Sequence, residues 1–133
     1  MTFDWVDYLN LAVYLRGEAK NDSSMNEAMH RTSISRAYYS SFNLIKNCLI
    51  SMGEILGRGA EVHKEIQTIF EDLSKQEMDS IRRRNLIEIS NELGVLRSFR
   101  NKADYNNAVF GMDKLVEASI IRAQKVKALV QAL

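Results

Sequence analysis

The chain has 133 residues and no proline. Nowhere do Val, Ile or Thr alternate with polar residues in the manner of a half-buried strand, whereas apolar residues recur three and four apart along its whole length. That single periodicity predicts an all-α fold, an up-and-down bundle of four or five helices. A chain of this size buries about two-thirds of its unfolded surface, enough for a core without disulfides or metal. No repeat, low-complexity run or break in composition divides it, so residues 1–133 read as one domain.

A first helix is expected from about Phe3 to Arg16, with Trp5, Tyr8, Leu9, Ala12 and Leu15 on its apolar stripe and Gly17 opening the connection. The second opens at "SMNE", where Ser24 and Glu27 have the spacing of a capping box, and runs to Met52, with Gly53 as its stop. It carries two apolar rows. One is Tyr38, Phe42, Ile45 and Leu49; the other is Ile34, Ala37, Ser41, Leu44 and Cys48. Two rows imply burial against more than one neighbour. "GEILGRGAE" follows as a linker, lacking the Lys-Ser/Thr that a phosphate-cradling loop needs after its second glycine. A third helix from Glu61 to Leu73 presents Val62, Ile66, Ile69, Phe70 and Leu73. A fourth from Asp79 to Tyr105 presents Leu86, Ile89, Leu93, Leu96 and Ala103. Gly94 lies inside it at a cost of about 1 kcal/mol relative to alanine, which a close helix approach or a bend would explain. The last helix, Met112 to Leu133, places Leu115, Ala118, Ile121, Val126 and Leu129 inward.

Composition narrows the function classes. Hydrophobic residues make up 46% and charged residues 26%, a globular balance, and the net charge is only +1. Nucleic-acid contact must therefore come from a local cluster. Cys48, the single cysteine, lies in the apolar "LIKNCLI" and reads as a small hydrophobe. The start "MTFDWVDYLNLAVYLRGEAK" lacks a basic region and cleavage site, and no window approaches the ~18 apolar residues of a membrane span. A soluble, cytoplasmic protein with no membrane partner is expected.

One stretch departs from the pattern. In "LRSFRNKADYNN", Arg97, Arg100 and Asp104 fall at i, i+3 and i+7 on one face of the fourth helix, with Asn101 and Tyr105 at its margin. An aspartate near a helix C-terminus opposes the macrodipole and requires a cationic partner. The structural reading is a salt bridge to Arg97 and Arg100, with Asn106 and Asn107 as end-caps. The second helix offers a matching row, Arg36, Tyr39 and Asn43, with Lys46 a turn on. Alone it is the wet face of an amphipathic helix; facing the first row it makes a cationic, hydrogen-bonding groove suited to a phosphodiester.

His30 and Arg31 lie early in the second helix and read as solvent-facing, and "RRR" at Arg82 to Arg84 reads as surface that could hold a phosphate. His63 opens the third helix; its ordinary pKa suits proton transfer, though a lone histidine is commonly structural. Two distant histidines and one cysteine give no zinc-ligand spacing, and neither a metal nor a cofactor is expected. No nucleophile elbow accompanies any serine.

"ISRAYYSSFNLIKNCL", "VHKEIQTIF" and "LRSFRNKADYNN", in that order and followed by an amphipathic helix, resemble the HEPN superfamily of prokaryotic helical domains. The nearest subgroup is that of small stand-alone proteins with an Arg-Ala-Tyr-Tyr helix, a His-Lys segment and a late Arg-x-x-Ala-Asp-Tyr element. The resemblance covers roughly residues 30 to 130. It implies a helical bundle that dimerises, with the late motifs of two subunits meeting across a shared cleft. It also implies metal-independent endoribonuclease activity in defence, CRISPR-linked or toxin–antitoxin systems, or else a non-catalytic module that binds RNA, a nucleotide, an antitoxin or a cognate nucleotidyltransferase.

Active relatives carry Arg-x(4–6)-His, the arginine for phosphate and the histidine for proton transfer. The arginine carries over to Arg97 or Arg100. The histidine does not, since Asn101, Lys102, Ala103, Asp104 and Tyr105 occupy its window. An exposed carboxylate is too weak a base and tyrosine too weak an acid near neutral pH, a loss of ~100-fold or more in acid–base catalysis. The motif is therefore degenerate, and nuclease activity by this route would be weak, conditional or absent. The resemblance makes Arg97, Arg100, Asp104 and Tyr105 the catalytic candidates, with His63 a further one if the fold carries it there. Arg36, Tyr39, Asn43, Lys46 and Asn101 are the RNA- or nucleotide-binding candidates.

Overall fold

The computed structural model describes residues 2–133 and contains five helices: α1 (Val6–Ala19), α2 (Asn26–Ser51), α3 (Val62–Gln76), α4 (Ser80–Tyr105) and α5 (Met112–Gln131). Among the described residues there is no strand, and no helix is long and apolar enough to cross a membrane. The architecture is the expected all-α up-and-down bundle.

The two rows of α2 face two cores. Tyr38, Ile45 and Leu49 join Val62, Ile66 and Phe70 of α3, Leu86, Ile89, Leu93 and Leu96 of α4, and Val126 of α5. Ile34 and Ala37 instead join Leu9 and Ala12 of α1, Ala103 of α4, and Val116, Ile120 and Ala123 of α5. Full burial of each large aliphatic side chain stabilises the fold by about 1.5–3 kcal/mol before the entropy of ordering is counted. Helices α2, α4 and α5 thus serve both cores, α1 only the second and α3 only the first.

Every predicted inward residue of α4 is buried. In α5, Val126 is buried and Leu115 and Leu129 pack against the cores as predicted, but Ile121 is 60% exposed and Ile120 is buried in its place, as is Val116 beside Leu115. Leu115/Val116 and Ile120/Ile121 are adjacent apolar pairs, so helix periodicity alone does not choose between them; the neighbours α1 and α2 do.

Helix ends also differ from expectation. Gly17 lies within α1, which begins after Asp4 Oδ1 accepts the Val6 N–H at 3.0 Å. The Ser24–Glu27 capping box does not form. Asp22 Oδ1 instead accepts the Ser24 N–H, the Ser24 hydroxyl and the Met25 N–H at 3.1, 2.8 and 3.1 Å, a local side-chain turn that outcompetes the cap. Gly53 ends α2 as expected, with φ +93°. Asp79 caps α4 through the N–H groups of Ile81 and Arg82. In the "RRR" run, Arg82 pairs with Glu77 at 3.0 Å and donates to the Leu133 carbonyl, and Arg83 donates to the Glu77 carbonyl, so two of the three arginines are tied into the α3–α4 corner.

Candidate functional site

The polar face of α4 emerges where that helix passes from one core to the other. Leu96 belongs to the first core and Ala103 to the second. Between them Arg97 and Arg100 stay half-buried, with Nε atoms that are buried and have no hydrogen-bond partner. Arg100 lies over the rings of Tyr38, Tyr39 and Tyr105, at 5.0, 5.6 and 5.8 Å from their centroids, and its Nη1 donates to the Tyr105 hydroxyl at 3.4 Å. Rings around a guanidinium hold it by cation–π attraction without consuming its N–H donors. Both side chains line one cavity, while their unpaired Nε atoms are shielded from solvent.

The structural reading of the stretch as a salt bridge holds for Arg100 and, among the described residues, not for Arg97. Asp104 meets Arg100 only at 3.9 Å and is itself exposed. The helix end is secured elsewhere. Arg31, expected to face solvent, folds across the α4 C-terminus and donates to the carbonyls of Ala103, Asn106 and Asn107 at 2.8, 2.7 and 3.3 Å. The Ala103 carbonyl belongs to the last turn of α4, at the negative end of the helix dipole, where carbonyls have no partner within the helix. Asn106 is the C-cap residue, but Asn107 contributes only its carbonyl.

The side chain the sequence could not place is His63. The first turn of α3 carries it under Tyr38, with Nδ1 3.1 Å from the Tyr38 hydroxyl, and it is buried. Two adjoining cavities of about 680 and 500 Å³ share His63, Arg97, Asn101 and Tyr105 as lining residues. The smaller adds Arg100, Tyr38 and Tyr39, and both fall in the size range of small-ligand sites. Burial, then the positive charges of Arg97 and Arg100, lower the His63 pKa from 6.5 to about 4, so the imidazole is neutral near pH 7. Burial raises the Tyr38 pKa against the opposing pull of Arg100 and Arg97, keeping its hydroxyl protonated.

The remaining candidates divide. Tyr39 lines the smaller cavity and stands between two guanidiniums, Arg36 at 5.4 Å and Arg100 at 5.6 Å from its ring centroid. Arg36 is also 4.6 Å from the ring centroid of Tyr8 on α1. Asn43 and Lys46 line neither cavity; the Asn43 amide donates to the Tyr39 carbonyl of its own helix at 2.9 Å. Asp104 lines neither cavity either.

Tyr38 was read from the sequence only as a core residue. The signal was present, because a buried tyrosine hydroxyl needs a partner and a histidine is the natural one when two are near. Gly94 and Gln67 also belong to the wall of the larger cavity. A Cβ at Gly94 would lie 3.2 Å from the Gln67 Nε2, so the glycine answers to a close approach of α3. The linker contributes Gly59 and Ala60 to the smaller cavity. Among the described residues no three His, Cys, Asp or Glu side chains group so as to hold a metal ion.

A family model described as "HEPN domain" matches residues 7–133. Neither the comparison with curated proteins nor that with solved structures gives a match.

Proposed function

The chain belongs to the HEPN family, and on that premise we propose an RNA-directed protein of a prokaryotic defence or toxin–antitoxin system that acts as a metal-independent endoribonuclease with a displaced histidine. The observation that carries the reading is that His63, from a different helix, shares one cavity with Arg97, Arg100 and Tyr105. The arginine pair, which lines that cavity, receives the phosphodiester oxygens on its guanidinium donors. In the tautomer whose Nδ1–H donates to the Tyr38 oxygen, His63 presents its Nε2 lone pair to an RNA 2′-hydroxyl. The 2′-oxygen attacks phosphorus as its proton passes to Nε2, the bond to the 5′-oxygen breaks, and that oxygen takes a proton from solvent.

A base with a pKa near 4 is weak, and the bound anion changes that. A phosphodiester offsets the charges of Arg97 and Arg100, two of the three causes that hold His63 down, so its pKa rises on binding. Activity is then tied to a filled site. The test is RNA degradation by the purified protein in EDTA. The wild type cleaves, His63→Gln lowers the rate ~100-fold, and an Arg97→Ala, Arg100→Ala variant that keeps its helical circular dichroism is inactive. No cleavage of several RNAs at any pH between 5 and 9 overturns the endoribonuclease reading.

A second reading is a non-catalytic module that pairs with itself, an antitoxin or a cognate nucleotidyltransferase. It is favoured by Phe110, fully exposed in the α4–α5 connection, close in sequence to the 71%-exposed Tyr105. Under it, Phe110→Ser abolishes self-association or partner capture while the wild type never cleaves RNA.

A further inference from the structure

Tyr38 of α2 and His63 of α3 each commit one polar atom to the other, the Tyr38 hydroxyl lying 3.1 Å from His63 Nδ1. The phenol is held in place. It packs edge-on to Tyr39 at 4.9 Å and stacks on Phe42 at 5.9 Å, with the Arg100 guanidinium 5.0 Å from its centroid. Arginine is a donor only, so among the described residues Nδ1 is the one acceptor in reach of the Tyr38 proton. His63 Nε2 makes no hydrogen bond with the described residues and is not one of the buried unpartnered atoms. It therefore reaches accessible space, and both cavities border its ring.

One hydrogen lies between the two side chains, and it can belong to either. If the Tyr38 hydroxyl donates to Nδ1, the neutral imidazole carries its own hydrogen on Nε2 and presents a donor to the cavities. If Nδ1–H donates to the Tyr38 oxygen, Nε2 presents a lone pair and the hydroxyl hydrogen needs an acceptor from outside the protein. Without ligand the first arrangement is favoured, because it leaves no hydroxyl hydrogen unpaired beside a guanidinium. A bare anion changes little. It accepts from Nε2–H in the first arrangement as readily as from Tyr38 in the second. A ligand with an acceptor and a donor side by side is matched at both atoms only by the second, in which Tyr38 gives a hydrogen bond and Nε2 takes one.

We propose that Tyr38 and His63 together read a ribose 2′-hydroxyl beside its 3′-phosphate. Tyr38 donates to a phosphate oxygen, Nε2 accepts from the 2′-hydroxyl, and this ligand turns the imidazole from its Nε2–H to its Nδ1–H tautomer. The inference rests on the RNA-directed reading above and names what selects RNA over DNA at that site, since the 2′-hydroxyl is the group by which a protein tells the two apart. One proton leaves Nε2 for solvent and one reaches Nδ1 from solvent while the hydroxyl rotates, so neither side chain gains a charge. His63 thus becomes an acceptor only against a ribose. A deoxyribose phosphate meets Nε2–H instead, a donor with no proton to take.

The tautomer is directly observable, because the 15N chemical shifts of the ring distinguish an N–H from a lone-pair nitrogen, and His30 is the only other histidine to assign. The full chain, labelled at histidine, is titrated at pH 8 with uridine 3′-monophosphate, which has no 5′-oxygen to release, with its 2′-deoxy and 2′-O-methyl analogues, and with inorganic phosphate. His63 should be the Nε2–H form alone and with the last three, and the Nδ1–H form with uridine 3′-monophosphate. That ligand should bind ~5- to 10-fold more tightly than its deoxy analogue, the worth of one hydrogen bond. A Tyr38→Phe variant that keeps its helical circular dichroism should bind the two alike and hold His63 in the Nε2–H form throughout. If Tyr38→Phe does not fold, the wild-type tautomer and the ribose preference decide alone. No preference for uridine 3′-monophosphate over its deoxy analogue, one tautomer with all four ligands, or an imidazolium with each overturns the inference. The RNA-directed reading survives any of these as long as the wild type degrades RNA in EDTA. A wild type that neither binds the four ligands nor degrades RNA overturns both.

Discussion

Arg31 and Arg100 both reach the last two turns of α4, and they are used in opposite ways. Arg31 donates to three backbone carbonyls and meets Glu27 at 3.4 Å. Arg100 keeps a buried Nε without a partner, touches Asp104 only at 3.9 Å, and is held mainly by aromatic rings. The difference teaches how to tell a guanidinium that fixes a fold from one that awaits a ligand. In the first kind the donors are already matched by the protein; in the second, the guanidinium is held mainly against ring faces and some of its donors lack a partner. Arg97 and Arg36 fall with Arg100, each with an unpartnered buried Nε.

The strongest way to break this contrast is to exchange the roles experimentally. Replacing both Arg97 and Arg100 by alanine should weaken binding of single-stranded RNA ~100- to 10,000-fold, from two charge-assisted contacts of about 1.5–3 kcal/mol each. The melting temperature should move little. If the double variant instead unfolds, the pair is structural and the contrast fails.

A pH titration comes next. The His63 pKa is about 4 in the folded chain and near 6.5 in the unfolded one. Between those values the unfolded chain binds a proton that the native one does not. Stability contributed by neutral His63 is therefore intact above pH 6.5 and lost as pH falls through 4, by about 3 kcal/mol in all. Denaturation by urea at pH 7 and pH 4.5 measures it against His63→Gln, which should lack this component. Arg97→Ala should shrink the pH dependence, since its charge is one cause of the shift, and Arg31→Ala should leave it unchanged.

Arg31→Ala tests the other half of the comparison. Uncapping the end of α4 should cost about 2–3 kcal/mol in urea denaturation, with hydrogen exchange rising first in residues 100–105. RNA affinity under folding conditions should stay within about threefold, well under 1 kcal/mol. The smallest effect is at Gly94. Alanine there gains up to about 1 kcal/mol of helix propensity, partly offset by the 3.2 Å approach to the Gln67 amide, which a flexible side chain can relieve. Thermal denaturation should show a change between zero and that gain.

The sequence made much of this legible and left specific gaps. The buried positions of α4 follow from spacing, because Ile89 and Leu93 fix a register of three- and four-residue steps that takes in Leu86 and Leu96 rather than their apolar neighbours Ile87 and Val95. The α5 face was misjudged where adjacent apolar residues offered two registers. The cap at Ser24 failed because Asp22, two residues away, supplied a better acceptor. Arg31 and His63 were beyond reach for a different reason. Each acts on an element distant in the chain, Arg31 on carbonyls more than seventy residues away and His63 on Tyr38 twenty-five residues before it. Periodicity describes one helix at a time and carries no information about which helix comes to face it. The polar face of "LRSFRNKADYNN" was recognisable as an anomaly, but its reading as a salt bridge turned on partners that only the fold supplies.

The two cores give the site a mechanical meaning. His63 is carried by α3, anchored only in the first core, whereas Arg97 and Arg100 are carried by α4, which serves both. A ligand held between them would tie α3 to a helix common to both cores, and its binding would add to stability by mass action as it saturates.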